Sequence, residues 1–499
     1  MSAQTTDRHI EGATAAHIVR SVFTLGIAQV LTWIGSGLMT VLLPQYLGDV
    51  NLGKLTFAFA LTALTGLLAD LGATTYLTRE VAREPSAASR LTINLMAMRV
   101  PLSVVVAAAT MLFARVAGYD ALTQQLVDIL SLGIVVSTLS NVATGTLQGL
   151  QKMRAIALIS VFTKVGYSIL GALLLLSGAG ALAVSIAWVS VGALGLIYSG
   201  IILVRNVRLR PSLSLGAWRS LLVAGLPFFV WQAALLVYGQ IDAVLLSFMT
   251  QDAVVGWYAV AYRIIMIPVF IPTIVVTVIF PALSSATRDH NAFAAIARRG
   301  IHVISLVSTP MALGIMLLPD KIIHLFGYPA TFDNSVVPLV LLAPHLPLAA
   351  IDTMIGTVLN ARDRQRQWAL TGVAAAFLNP LLNLVAIPYA QATWGNGAIG
   401  AAAITTATEI FMLVSGLRLL PPGVFEMSTL IAVLKCLLAS ATMAVAVWLT
   451  RDLPIAVPIG LGAATYAATC LAIGAVSLGE LREVHLHLVR GRAASQITP

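Results

Sequence analysis

The chain has 499 residues, of which 59% are hydrophobic and 10% charged, with a mean hydropathy of +0.93 and a formal net charge of +9. A water-soluble domain carries roughly a quarter charged residues, so this composition excludes a protein whose surface mostly meets water. The two cysteines, Cys436 and Cys470, both fall in apolar runs, which leaves no disulfide framework and no zinc site to expect.

A bilayer core of about 30 Å takes about 20 apolar residues per helix, and only helices or closed barrels satisfy the backbone there. The apolar runs are long and continuous rather than alternating, which predicts an all-α membrane protein. The chain opens on a polar tail, 1–17. The run over 18–43 is too long for a signal-peptide core and lacks a small-residue cleavage site, so it reads as an uncleaved first span. Five more spans follow at 55–77, 91–113, 126–147, 155–176 and 181–204. The basic linker 205–220, "RNVRLRPSLSLGAWR" and its next residue, leads into spans at 221–249 and 253–283. The eighth contains Pro268 and Pro272 and is expected to kink. Spans at 301–318, 336–359, 368–387 and 398–417 complete a second set, and 429–449 and 455–477 make fourteen. The tail over 479–499, with "ELREVHLHLVRGR", reads as an interfacial amphipathic segment; His485 and His487 do not make a metal site.

Twenty-two of the 29 Lys and Arg fall on the side of the N-terminus under this assignment. Lys54, Arg115, Lys321 and Arg451 fall on the other, and Lys164, Arg263 and Lys435 lie within spans. By the positive-inside rule both termini are cytoplasmic, in a cell membrane. The same bias explains the net charge without any nucleic-acid partner.

Two stretches repeat. "VLLPQYLGDVNLGKLTFA" from Val41 aligns with "VLLSFMTQDAVVGWYAVA" from Val244, matching Val-Leu-Leu, Asp49 with Asp252, Gly53 with Gly256 and Ala58 with Ala261. "SGAGAL" from Ser177 is similar to "WGNGAI" from Trp394. Two six-helix bundles follow, 18–204 and 221–418, related by an axis along the membrane normal, with two C-terminal helices over 427–478. Parallel repeats of this kind are a transporter architecture with substrate between the halves.

Each ionisable group inside the bilayer costs about 2.5–3.5 kcal/mol on insertion scales, so each is a functional candidate. Asp242 lies about 12 Å from the outer end of span seven, and Arg263 about 10 Å into span eight, so the two form either a functional pair or a structural lock. Lys164 sits mid-span, about 15 Å from Arg154, too deep to snorkel easily. With Arg20, Arg79 and Arg99 it outlines a basic cavity, though Arg20 and Arg79 also suit interface anchors. Asp70 lies in the inner half of span two. Asp352 and Glu409 are buried acids suited to a coupling ion or to helix–helix hydrogen bonds. Asn379 and Asn383, one turn apart, suit sugar hydroxyls or interhelical contacts. Lys435 is near enough to the inner face to snorkel. There is no Walker A motif and no GxSxG or HExxH pattern, hence no expected enzyme activity and no cofactor.

Taken in order, "LADLGATTYLTREVAR" (68–83), "YGQIDAVLLSFMTQDAVVGWYAVAYRI" (238–264), "HLFGYP" (324–329), "LNARDRQRQWALTGVAAAFLNPLLNLVAIP" (359–388) and "GNGAIGAAAITTATE" (395–409) resemble polysaccharide flippases. These are the oligosaccharide flippase branch of the multidrug/oligosaccharidyl-lipid/polysaccharide exporter superfamily. The resemblance implies two bundles in a V, a central cavity and alternating access for a polyprenyl-linked glycan, with an H+ or Na+ gradient as drive. It also implies association with glycosyltransferases and a polysaccharide polymerase. Asp70, Arg79, Asp242 and Arg263 occupy the matching motifs; Arg99 and Lys164 follow by chemistry alone. The two additional C-terminal spans resemble the lipid II flippase, where they frame a groove for the lipid tail. That relative's arginine-rich first span is missing beyond Arg20, which argues against lipid II. A multidrug antiporter of the same superfamily would favour an acidic, aromatic cavity, against the basic groups here. A membrane glycosyltransferase needs a larger outer domain than the 319–335 connection.

Overall fold

The computed structural model describes residues 2–476, with side chains from Gly26 onward; the Arg20 side chain and the amphipathic tail expected over 480–492 lie outside the described residues. Among them the chain is helical and contains no strand. Spans one and two form α1 (Ser2–Asp70), two helices joined end to end at Gly48, whose φ of 69° breaks the helical run. Then come α2 (Ala73–Arg83), α3 (Ala88–Val116), α4 (Ala121–Gly149), α5 (Met153–Leu176), α6 (Ala181–Asn206) and α7 (Leu215–Met249). Side-chain caps begin several helices: Asp120 accepts from Leu122 N and starts α4, and Ser214 accepts from Ala217 N and starts α7.

The eighth span is divided into α8 (Asp252–Met266) and α9 (Phe270–Ser285), because Pro268 cannot donate in the helical ladder. The chain continues through α10 (His290–Leu317), the short α11 (Pro319–Leu325), α12 (Val336–Leu342) and α13 (His345–Ala361). It ends with α14 (Gln365–Trp394), α15 (Gly397–Leu419), α16 (Met427–Leu449) and α17 (Ala456–Ala472). Eleven described helices are long and apolar enough to cross a membrane, or twelve with the bent pair Ala330–Leu342 and His345–Ala361. Counting α1 twice and adding the shorter α17, every predicted span has a helical counterpart.

Two spans differ from expectation. Span two, read as continuous over 55–77, stops at Asp70 and restarts at Ala73. Leu71 and Gly72 both take left-handed conformations there, with φ of 48° and 70°. Apolar content at the break is high, so hydropathy alone carries no sign of it. Span ten bends by 43° where α12 meets α13, next to Pro344.

The chain divides into two compact units: Met1–Val260 with Phe326–Phe332 and Ala376–Ala401, and Ala261–Leu325 with Asp333–Ala375 and Ala402–Pro499. Within the first, α4 is the central helix, packed against α1, α2, α3 and α6. A core of Leu77, Val81, Leu91, Leu95, Val142 and Leu221 ties α2, α3, α4 and α7 together. Within the second, Phe293, Ile301, Ile304, Met354 and Val358 form the corresponding core between α10 and α13.

Candidate functional site

The break in span two is built around Asp70. Its carboxylate accepts from the Thr74 amide (3.2 Å) and hydroxyl (3.1 Å), capping the restarted helix α2. Arg99 of α3 forms an ion pair with the same carboxylate and also donates to the backbone oxygens of Asp70 (3.1 Å) and Thr138 (3.2 Å). Arg99 has no exposed surface. Its guanidinium is thus engaged in closing the broken helix, which would otherwise leave carbonyls unpaired in an apolar setting. Close packing completes the joint: a Cβ on Gly72 would stand 2.3 Å from the Gly225 carbonyl oxygen of α7. Arg79, further along α2, is exposed and lies over the rings of Tyr76 (5.3 Å) and Phe228 (5.5 Å).

Lys164 is exposed, and among the described residues its ammonium has no partner. It does not face the same way as the lipid-facing residues of its helix. Leu158, Phe162, Ile169, Leu170, Leu173 and Leu176 are the large apolar residues that α5 exposes, and all but Leu170 share one face at helical spacing. Lys164 stands on the opposite side, one turn from buried Ser168. Two further polar stripes belong to the same unit. On α1, Gln29, Trp33, Ser36 and Thr40 recur at i, i+4, i+7, i+11, away from exposed Ile27, Ile34 and Leu38. On α4, Ser137, Asn141, Thr144 and Gln148 recur at the same spacing. Leu132 is the one large apolar residue that α4 exposes. Exposed Asn141 and Gln148 on so enclosed a helix mark a wet face rather than a lipid face. These stripes were not singled out from the sequence, although a polar period of 3.6 inside apolar spans was there to be found.

Three predicted residues meet in a second place. Asp242 of α7 is 5% exposed, and its carboxylate accepts from Tyr258 Oη of α8 at 2.6 Å and from Asn383 Nδ2 of α14 at 2.9 Å. Asn383 Nδ2 also reaches Asn379 Oδ1 at 3.1 Å, and both asparagines are fully buried. Asn383 Oδ1 and Asn379 Nδ2 make no hydrogen bond. A carboxylate and amide oxygens at one point are the donor types a hard monovalent cation takes, or a proton on Asp242. Tyr258 was not anticipated; it sits sixteen residues from Asp242, across the outer turn.

That outer turn meets its own repeat. Asp49 accepts from Trp257 Nε1 at 3.0 Å, and Lys54 Nζ lies 2.6 Å from Asp120 and 3.8 Å from Asp252. A Cβ on Gly53 would fall 1.8 Å from the Asp252 carbonyl oxygen, and one on Gly256 2.1 Å from that of Asp49. The aligned residues Asp49/Asp252 and Gly53/Gly256 therefore clasp one another reciprocally. Burial pushes the Asp120 carboxyl up, but the Lys54 ammonium, the Thr123 hydroxyl and the Leu122 amide outweigh it and hold the group below its ordinary value.

In the second unit, Asp352 and Glu409 are both buried and lie side by side, with His345 against Glu409. Arg263, near the end of α8, is half-buried. Lys435 donates to the Gly474 carbonyl at 3.0 Å. No group of three or more His, Cys, Asp or Glu among the described residues is placed to hold a metal ion.

The profile of the polysaccharide biosynthesis protein family matches residues 18–287, more than half of the chain. Over 247 residues the chain is 28% identical to "Probable flippase AglR" of Haloferax volcanii, covering 47% of this chain and 50% of that protein. The match thus spans about half the length of that relative. Among solved structures, the lipid II flippase MurJ in an inward closed conformation superposes with a TM-score of 0.73 at 17% identity, covering 89% of this chain and 97% of MurJ. An inward-facing multidrug resistance MATE transporter gives 0.62 at 16% identity, covering 80% and 97%. A transporter of the same superfamily from Pyrococcus furiosus gives 0.52 at 15% identity, covering 84% and 96%. The scaffold is therefore that of the MurJ and MATE transporters, and the chain belongs to the polysaccharide biosynthesis protein family.

Proposed function

We propose that this membrane transporter moves a polyprenyl-(pyro)phosphate-linked oligosaccharide from the inner to the outer leaflet by alternating access, for cell-surface polysaccharide biosynthesis. The carrying observation is Lys164: a mid-helix ammonium without a partner among the described residues, opposite most of the exposed apolar residues of α5, in a unit whose α1 and α4 carry partly exposed polar stripes. A lipid-linked phosphate needs a cation not already neutralised by a carboxylate, and its sugar needs hydrogen-bonding groups. The tail stays in the bilayer, so no closed pore is required. Arg79, exposed on α2, is already ion-paired with Glu80 at 3.1 Å, so Lys164 carries this role alone. Arg99 holds the scaffold in this arrangement rather than presenting charge. The substrate path runs between bundles 18–204 and 221–418, and the Asp242–Asn379–Asn383 network serves the driving ion, H+ or Na+. Both termini face the cytoplasm, where glycosyltransferases build the glycan; a polymerase takes it up outside.

Deletion of the gene, followed by lipid extraction, tests the reading. Lipid-linked glycan should accumulate in the cytoplasmic leaflet, with rescue by the wild-type gene. Lys164→Gln should rescue at least about tenfold less well, the cost of one charge-assisted contact. Unchanged glycan with altered drug tolerance would instead identify a multidrug antiporter.

A further inference from the structure

The basic linker between α6 and α7 is a sequence feature that the substrate path does not use, and it is not slack chain. Residues 207–214 carry no helix, with extended dihedrals at Val207 and Ser214. Side chains alternate as they do in extended chain. Val207 is buried and Leu209 half-buried against the core that ties α2, α3, α4 and α7 together, whereas Arg208 and Arg210 are exposed. Three hydrogen bonds fix the course of the backbone. The Arg210 amide donates to Ser89 Oγ at 2.8 Å. Fully buried Asn94 holds the linker twice: its Nδ2 donates to the Ser212 carbonyl at 2.5 Å, and its Oδ1 accepts from the Ser214 amide at 2.9 Å.

The same core cluster gathers the neighbouring helix ends through Val81, Leu91, Leu150, Leu203 and Trp218. Beside these residues in the chain stand Arg90, Lys152, Arg154, Arg205 and Arg219, all exposed. With Arg208 and Arg210 they crowd one end of the first unit, and among the described residues none of them has an ion pair. The acids of these turns are Glu80 and Glu84. Glu80 is taken by Arg79 and Arg83, and Glu84 accepts from the Ser86 hydroxyl. Like charges held on a rigid surface repel one another until an anion is bound. The apolar side chains say which anion. Leu213 and Leu215 of the linker are 69% and 81% exposed. Val204 of α6 and Val223 of α7, also exposed, continue that apolar surface onto the two helices. Leucine beside arginine at the ends of membrane helices suits the level where acyl chains meet phosphate. A nucleic acid or an acidic protein surface would supply the negative charge but no acyl chains for the leucines.

We propose that the pinned linker, with Arg208, Arg210, Leu213, Leu215 and Arg219, docks an anionic phospholipid of the surrounding bilayer. The lipid phosphate meets the guanidinium groups and the acyl chains lie against the leucines. The inference needs the membrane assignment only and is independent of what is transported.

Native mass spectrometry of the detergent-purified protein, titrated with phosphatidylglycerol or phosphatidylcholine, counts the bound lipid. Phosphatidylglycerol should bind the more tightly, and the preference should fade between about 0.1 M and about 1 M salt as the Debye length falls from about 10 Å to about 3 Å. Arg208→Gln/Arg210→Gln/Arg219→Gln should weaken phosphatidylglycerol binding roughly a hundredfold. These three side chains are exposed and unpaired among the described residues, so their loss leaves the fold intact. Arg288→Gln/Arg299→Gln/Arg366→Gln, which removes three exposed cations of the second unit, should leave the binding unchanged. Leu213→Ser/Leu215→Ser should weaken it while keeping its salt dependence. Equal affinity for the two lipids, or equal losses in the linker and control variants, overturns the proposal. Leucine substitution without effect overturns it too, and leaves the patch to an acidic protein.

Discussion

At the scale of single residues, the charges within the helices divide by what they touch. Arg99 and Asp70 neutralise each other within a core, and such a pair contributes little net stability while intact yet is costly to break. Asp70→Ala should destabilise the detergent-solubilised protein by about 3–5 kcal/mol, because it strands an enclosed guanidinium and uncaps α2. A Asp70→Asn/Arg99→Met double variant should recover much of that loss in thermal unfolding; a double variant as unstable as Asp70→Ala would count against the pair. Lys164 belongs to the other class, and its removal should leave the melting temperature near that of the wild type. Arg99 and Lys164 look alike in the sequence, each a lone cation in an apolar run. What separates them is Asp70, 29 residues away from Arg99, and the absence of any such acid beside Lys164 among the described residues.

At the scale of elements, the joints matter more than the helices. The outer clasp between the turns after spans one and seven depends on two glycines whose Cβ positions are filled by the opposing backbone. Gly53→Ala and Gly256→Ala should each part the turns, read as increased maleimide labelling of a cysteine introduced at Asn51. Gly37→Ala, a helical glycine with open space around it, should leave labelling unchanged. The Lys54–Asp120 contact adds a pH dependence. A carboxyl held below its ordinary value contributes above that value and ceases to as pH falls through its folded titration, so labelling at position 51 should rise in acid. The repeat was legible as a sequence alignment, and it located the residues of the clasp. That the aligned residues press on each other was not, because alignment says which positions correspond and nothing about which touch. Likewise the Pro268 break was readable from proline's missing N–H, whereas the break at Leu71 has no proline and exists because Arg99 and Gly225 receive it.

At the scale of the whole molecule, the alternation of basic loops makes an orientation testable. Ser86→Cys and Ser212→Cys should be shielded from an impermeant maleimide in intact cells, and Ser177→Cys should be labelled; the reverse pattern would invert the topology. Native Cys436 and Cys470 are buried and leave that assay quiet. The sequence by itself determined the all-helical membrane architecture. Hydropathy, helical period and loop charge are local responses to the solvent each residue meets. Only tertiary structure decided which buried groups are locked and which remain available. Asp242 finds Asn383 across 141 residues, and His345 finds Glu409 on another helix. In a medium without water to pair them, polar groups take whatever partner helix packing brings, and that is a property of three-dimensional arrangement rather than of any segment alone.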